Sequence, residues 1–183
     1  MKQCPGCLFE IADANAEGCP DCELSLIPGS DLTVVEELRH LTNGWDVPPT
    51  DLRFAPATEG DPLIASLDIC DAEHLTVLLT VGVHVTHDRI TGDVLHNQLM
   101  TLPSEPTRFR LEVAGRRGEL ARAAAAWFRQ LVAMPFERHE YDSAGRVEHR
   151  VVMADGGQGV VETRDCPPRQ AQPDRTSRVA VRY

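Results

Sequence analysis

With 183 residues, 42% hydrophobic and 25% charged, the chain has the balance of a globular protein with room for one core and a small accessory module, which excludes disordered and collagen-like classes. No run of about eighteen apolar residues occurs and no basic-then-apolar leader opens the chain, so the expectation is a protein of the reducing cytoplasm with no membrane partner. The net charge of −10 is concentrated early: residues 1–60 hold three basic and eleven acidic side chains, too few cations there to displace counterions from a phosphate backbone.

The first chemistry in chain order is Cys4-Pro5-Gly6-Cys7 followed, after eleven residues, by Cys19-Pro20-Asp21-Cys22. Two Cys-x-x-Cys turns present four thiolates, the donor set and number that a tetrahedral zinc ion takes. The proline after each first cysteine favours a tight turn, so both sulfurs of a knuckle can face one side. Two disulfides in a secreted domain would be the alternative, and the missing leader weighs against it. A redox role fits poorly, because a redox Cys-x-x-Cys opens a helix that lowers its thiol pKa.

Residues 2–23 resemble the small bacterial zinc-ribbon domains that open with Cys-Pro-x-Cys, pass through a short hairpin and close with Cys-x-x-Cys. The resemblance implies one structural zinc held by Cys4, Cys7, Cys19 and Cys22. The glycine that usually follows each knuckle is replaced by Leu8 and Glu23. Zinc ribbons serve transcription factors, nucleic-acid enzymes and protein-interaction modules, so the resemblance implies a metal and a local fold without a single activity.

After the ribbon, Ser30-Asp31 offers an N-cap, and Leu32, Val35, Leu38 and Leu41 recur until Asn43-Gly44, predicting an amphipathic helix over 31–42. Prolines 48, 49, 56 and 62 then mark a linker in which Trp45 is expected to anchor the chain to a core. Strands are predicted at Leu63–Ile69, Leu75–Thr86, Val94–Thr101 and Thr107–Val113. Helical spacing of Leu120, Ala124, Trp127, Leu131 and Met134 predicts a long helix over 116–134, which Pro135 ends.

A hairpin is expected between 136–142 and 146–154. Opposing charges select a register in which Tyr141 faces Arg146, Glu137 faces Arg150 and His139 faces Glu148, with one polar and one largely apolar face. A last strand is expected at Val160–Arg164. The fold class is therefore α+β: a zinc ribbon (1–29), a short helix and Pro-rich linker (30–51), an antiparallel-sheet domain with one long helix (52–164; four strands, helix, three strands) and a flexible basic tail (165–183). Val179–Tyr183 is an alternative strand for a partner or for the chain's own acidic half. Asp61-Pro62, Gly92-Asp93-Val94 and the alanine-rich helix bear a faint resemblance to SsgA-like cell-division regulators, a family from which the N-terminal ribbon and the hairpin after the helix both depart.

No catalytic residue and no organic cofactor site is assigned. His84-Val85-Thr86-His87-Asp88 is the best constellation, yet on a continuous strand its two imidazoles point to opposite faces. His139 and His149 also fall on different faces of the expected hairpin. The glycine-rich 155–159 loop precedes a strand, whereas phosphate loops precede a helix. Cys70 reads as a small, partly buried hydrophobe and Cys166 as an exposed thiol. The expected function is a non-enzymatic interaction or regulatory module with a protein partner. The alternatives are a nucleic-acid-associated regulatory factor, disfavoured by the acidic ribbon, and an enzyme with an unrecognised site in the α+β domain.

Metal analysis of the purified protein should find about one zinc per chain. Cys4→Ser or Cys19→Ser should unfold the ribbon and leave most of the second domain intact. Stoichiometric zinc retained without all four knuckle cysteines would contradict the assignment.

Overall fold

The computed structural model describes residues 2–4, 10–12, 27–45, 52–55, 62–86, 88–96, 100–143, 146–155, 159–163 and 165–182. In chain order the elements are β1 (Lys2–Gln3), β2 (Glu10–Ile11), β3 (Ile27–Pro28), α1 (Gly29–Thr42), β4 (Leu52–Ala55), β5 (Leu63–Asp71), β6 (Thr76–Thr86), β7 (Arg89–Val94) and β8 (Leu111–Ala114). They continue as α2 (Arg117–Val132), β9 (Phe136–Ser143), β10 (Arg146–Met153), β11 (Gly159–Glu162), β12 (Arg175–Arg178) and β13 (Val181–Arg182). The fold is α+β with antiparallel sheets: a small one ordered β2-β1-β3, one ordered β11-β10-β9-β12, and one ordered β13-β5-β6-β7-β8 with β4 also paired to β5. The chain divides into two compact units, 1–67 with 80–129, and 68–79 with 130–183.

In the first unit, α1 buries Val34, Val35 and Leu38, and Thr42 Oγ1 donates back to the Leu38 carbonyl at 2.9 Å. Gly44, with φ +88°, stops the helix in the left-handed conformation that only glycine adopts without strain. Trp45 is half-buried beneath the Arg129 guanidinium, 5.3 Å from its ring centre, which is an anchoring role. α2 turns Leu120, Ala121, Ala124 and Phe128 inward, while Val81, Val83 and Val85 alternate along β6 as a half-buried strand requires.

Gly92 lets Trp127 come close. A Cβ there would lie 3.2 Å from Trp127 Cη2 and 3.0 Å from Val83 Cγ1. The indole N–H then donates to the Phe109 carbonyl at 2.8 Å. Gly92-Asp93 therefore lies inside β7 and not ahead of the strand expected at 94–101, and the chain turns later, through Met100 at φ +55°. Asp93 is wholly buried and fixes that loop. Its carboxylate accepts the amides of Val94 at 2.8 Å and Thr107 at 3.0 Å together with the Thr107 hydroxyl, so Thr107 sits in a loop and the fourth expected strand begins only at Leu111. β4 was not foreseen as a strand.

The second unit buries Ile69, Leu131, Phe136, Val151, Met153 and Val179. The β9–β10 register departs from expectation by two residues: Tyr141 faces Glu148, His139 faces Arg150 and Glu137 faces Val152. Ser143 pairs directly with Arg146, so only two residues connect the strands, the commonest hairpin length, and turn geometry outweighs surface charge pairing. Because the shift is even, the same residues share each face. The expected polar and apolar faces are nevertheless mixed, since Tyr141 and Arg150 are buried on one and Arg138 on the other. The segment expected to be a flexible tail also differs. β12 pairs with β9 and β13 with β5, because backbone pairing and burial of Val179 outweigh a composition rich in Pro and Arg.

Gly82 tests the packing. An added Cβ would meet Leu95 Cδ1 at 2.5 Å and the Ala65 carbonyl oxygen at 2.9 Å, and the second cannot move without the strand. Gly82→Ala should therefore lower unfolding stability by about 1–3 kcal/mol in urea titrations.

Candidate functional site

Cys4 follows β1 and is completely buried. In chain order the first knuckle falls in the connection between β1 and β2, whose ends are brought together by the Gln3–Glu10 pairing, and the second falls between β2 and β3. Cys7, Cys19 and Cys22 lie outside the described residues. Among the described residues no group of three or more His, Cys, Asp or Glu is placed to hold a metal ion.

His84 sits late on β6 with its Nε2 2.8 Å from the Met100 carbonyl oxygen, a contact that makes Nε2 the donor. β6 ends at Thr86, and His87 lies outside the described residues. His139 and His149 lie on opposite faces of the β9–β10 pair, as expected. His139 is 3.6 Å from Glu137, whereas His149 stacks on His74, with ring centres 5.6 Å apart and planes inclined by 17°. Cys166 is half-buried rather than exposed, and burial pushes its thiol pKa up, against the nearby Arg150 charge, so thiolate chemistry is suppressed.

The cluster that sequence reading missed surrounds the turn after β5. Asp71 is buried. Its Oδ1 accepts the amides of Glu73 at 3.0 Å and His74 at 3.3 Å, and its backbone carbonyl accepts the Leu75 amide at 2.8 Å. Arg138, buried on β9, donates from Nη2 to Asp71 Oδ2 and from Nη1 to Glu73 Oε2, each at 2.5 Å. Burial pushes the Asp71 carboxyl up, but the Arg138 guanidinium and the two amides outweigh it and hold the carboxyl below its usual range. The same bonds outweigh burial at Arg138 and raise its pKa. Beyond it on the same strand, the hydrogen bond from Arg175 holds Glu140 below its ordinary value, against a smaller effect of burial.

The clamp sets the apex of the turn. Leu75 takes φ +52°, a region uncommon for a branched apolar residue, and is 73% exposed; Val147, two residues before His149 on the same face of β10, is 63% exposed. The Asp71-Ala72-Glu73-His74 sequence carries an Asx-turn signal that could have located this turn. Its guanidinium partner lies sixty-seven residues away, and no local pattern announces it.

On the opposite face of the second unit's sheet, buried Arg150 is also surrounded: Nη2 donates to the Pro167 carbonyl at 2.5 Å, Nη1 reaches the Tyr141 hydroxyl at 3.3 Å, and Nε lies 3.1 Å from Glu162. Such groups hold structure; a general base instead needs a carboxylate or imidazole near its working pH and open to a substrate proton. Comparison with protein-family models, with curated proteins and with solved structures finds no match to this chain. No described helix is long and apolar enough to cross a membrane.

Because the Asp71 pKa is depressed on folding, its contribution is complete above the unfolded value near about pH 4 and is lost as pH falls through the lower folded value. Urea unfolding should accordingly show stability falling below about pH 4, less steeply in Asp71→Asn. Arg138→Gln, which leaves Asp71 buried without its counter-ion, should cost about 3–5 kcal/mol at neutral pH. A loss within the range of a surface ion pair would show that the clamp is dispensable.

Proposed function

We propose that the chain is a zinc-ribbon protein that works as an interaction or regulatory module and performs no chemistry on a substrate. The observation that carries this reading is the turn at Leu75. A large apolar side chain is held outward, in an unfavourable backbone conformation, at a turn fixed by the buried Asp71–Arg138 ion pair. Exposed Val77 and Val147 add apolar surface in the same unit. The buried acids Asp71 and Asp93, and the guanidiniums of Arg138 and Arg150, are engaged with partners inside the fold.

In this reading Cys4, Cys7, Cys19 and Cys22 hold one zinc ion. Four thiolates leave the metal no open position at which to activate water, so its part is to hold an acidic knob in shape. The acidic surroundings, with Glu10, Asp13, Glu17, Asp21 and Glu23 against Lys2, suit a protein partner better than a phosphate backbone.

Native-lysate capture with the intact protein, with Leu75→Asp and with Cys4→Ser/Cys7→Ser, read by mass spectrometry, tests the proposal. A protein lost only from Leu75→Asp places recognition at the turn, and one lost only from the cysteine variant places it at the ribbon. Capture of nothing specific by the intact protein would count against an interaction module. Salt-sensitive co-purification of DNA or RNA would favour the nucleic-acid alternative.

A further inference from the structure

The chain carries 28 acidic side chains against 18 lysines and arginines, so a surface cation has carboxylates to spare for pairing. Several arginines use them: Arg89 meets Glu112, Arg138 meets Asp71, Arg150 meets Glu162 and Arg175 meets Glu140. Helix α2 holds none of these pairs. Arg116, just ahead of it, and Arg117, Arg122 and Arg129 along it are all exposed, and no carboxylate among the described residues pairs with any of them.

Two carboxylates reach the first turn of α2 and are spent there. Glu119 Oε2 accepts the Arg116 amide at 2.9 Å, and Glu37 of α1 stands against Gly118, where an added Cβ would lie 3.0 Å from its Oε1. Beyond that turn Arg122, Ala126 and Arg129 form an exposed face. The two arginines are seven residues apart, close to two full turns, so they share that face at a separation of about 10.5 Å along the axis. Arg129 is also steadied. Its guanidinium lies 5.3 Å from the centre of the Trp45 ring, a contact with the ring face that leaves its N–H donors unbonded.

A solvated helix face gains stability by placing opposite charges three or four residues apart. Here the place four after Arg122 and three before Arg129 is Ala126, the place four before Arg129 is Ala125, and Glu119, three before Arg122, is turned to the backbone. The cations of this face are therefore left unmatched by the fold.

We propose that the exposed face of α2 is a docking surface for an acidic segment of a partner protein, whose Asp or Glu carboxylates meet Arg122 and Arg129. Each guanidinium can take a carboxylate through two parallel N–H donors, which makes the pairing directional as well as attractive. A nucleic acid fits less well. A face that binds a duplex backbone commonly neutralises about six to ten phosphates, four guanidiniums stand here, and the net charge of −10 repels a long polyanion more than a short acidic segment. The surface belongs to the first unit and involves neither the ribbon cysteines nor Leu75, so the proposal stands or falls apart from the function proposed above.

The probe is a fluorescein-labelled synthetic helix in which glutamate recurs every seventh residue, read by fluorescence anisotropy against the full-length protein in low-salt buffer. Its glutamine version serves as the control peptide. The glutamate helix should bind and the glutamine helix should not. Arg122→Gln/Arg129→Gln should raise Kd about tenfold or more, and Arg122→Gln alone, which keeps the Trp45 contact, should give part of that loss. Arg146→Gln/Arg178→Gln removes the same charge from two other exposed arginines and should leave Kd unchanged. Equal weakening by the two double variants would reduce the binding to net charge and overturn the proposal, as would no binding of the glutamate helix by the intact protein. A labelled oligonucleotide of equal charge bound more tightly than the peptide would assign the face to nucleic acid and overturn it too.

Discussion

A guanidinium cannot be buried alone. Arg138 enters the second unit on the same face of β9 as Phe136, whose side chain is wholly buried, so its charge must be met within the fold. The answer is the Asp71 carboxylate at 2.5 Å, with Glu73 taking the other nitrogen. Once Asp71 is committed through Oδ2, its Oδ1 is left to accept two amides and close the turn. The position of His74, its stack on His149 and the outward setting of Leu75 follow from that pairing. Replacing such a cluster by apolar residues is often neutral for stability, so the cluster is better understood as fixing one turn geometry than as a net source of folding energy.

The first unit meets the same demand for a unique structure mostly through space. Gly92 and Gly82 remove side chains where Trp127, Leu95 and the Ala65 carbonyl come close, and the indole N–H is satisfied by a backbone oxygen. Its buried charge, Asp93, is paired with backbone and hydroxyl donors instead of a cation. A carboxylate so held ties a loop to a strand, as Asp71 does, although nothing in the two local sequences looks alike. In both units the most buried acid serves the backbone, which is why acidic residues on the page of the sequence were a poor guide to chemistry.

Periodicity made the regular parts legible. Alternation along 63–71 and 76–86, the helical spacing of 117–132 and the stop at Gly44 are local consequences of local residues, and the observed elements fall within a few positions of those expected. What was missed depended on partners distant in the chain. Gly92 falls outside the strand expected at 94–101 because the tryptophan that needs its empty space lies thirty-five residues on. The hairpin register was argued from surface charges, each worth little in water, against a two-residue connection that constrains the backbone directly. The terminal strap carried the composition of a solvated tail, and only strand edges elsewhere in the unit give it a place. The assignment of the knuckle cysteines rests on their spacing alone; of the four, Cys4 lies among the described residues, buried beside β1.

Leu75 is unfavourable on two counts: its side chain is 73% in water, and its backbone occupies the left-handed region, which costs a residue with a Cβ roughly 1–2 kcal/mol relative to its preferred conformations. Glycine or asparagine would relieve the strain, and a polar residue would suit the exposure. The turn tolerates the penalty because it is over-determined by the Asp71 hydrogen bonds and the Arg138 clamp. The outward setting of Leu75 therefore follows from how the Arg138 charge is met; under the interaction role proposed above, a side chain held so rigidly would lose little entropy on entering a partner's pocket.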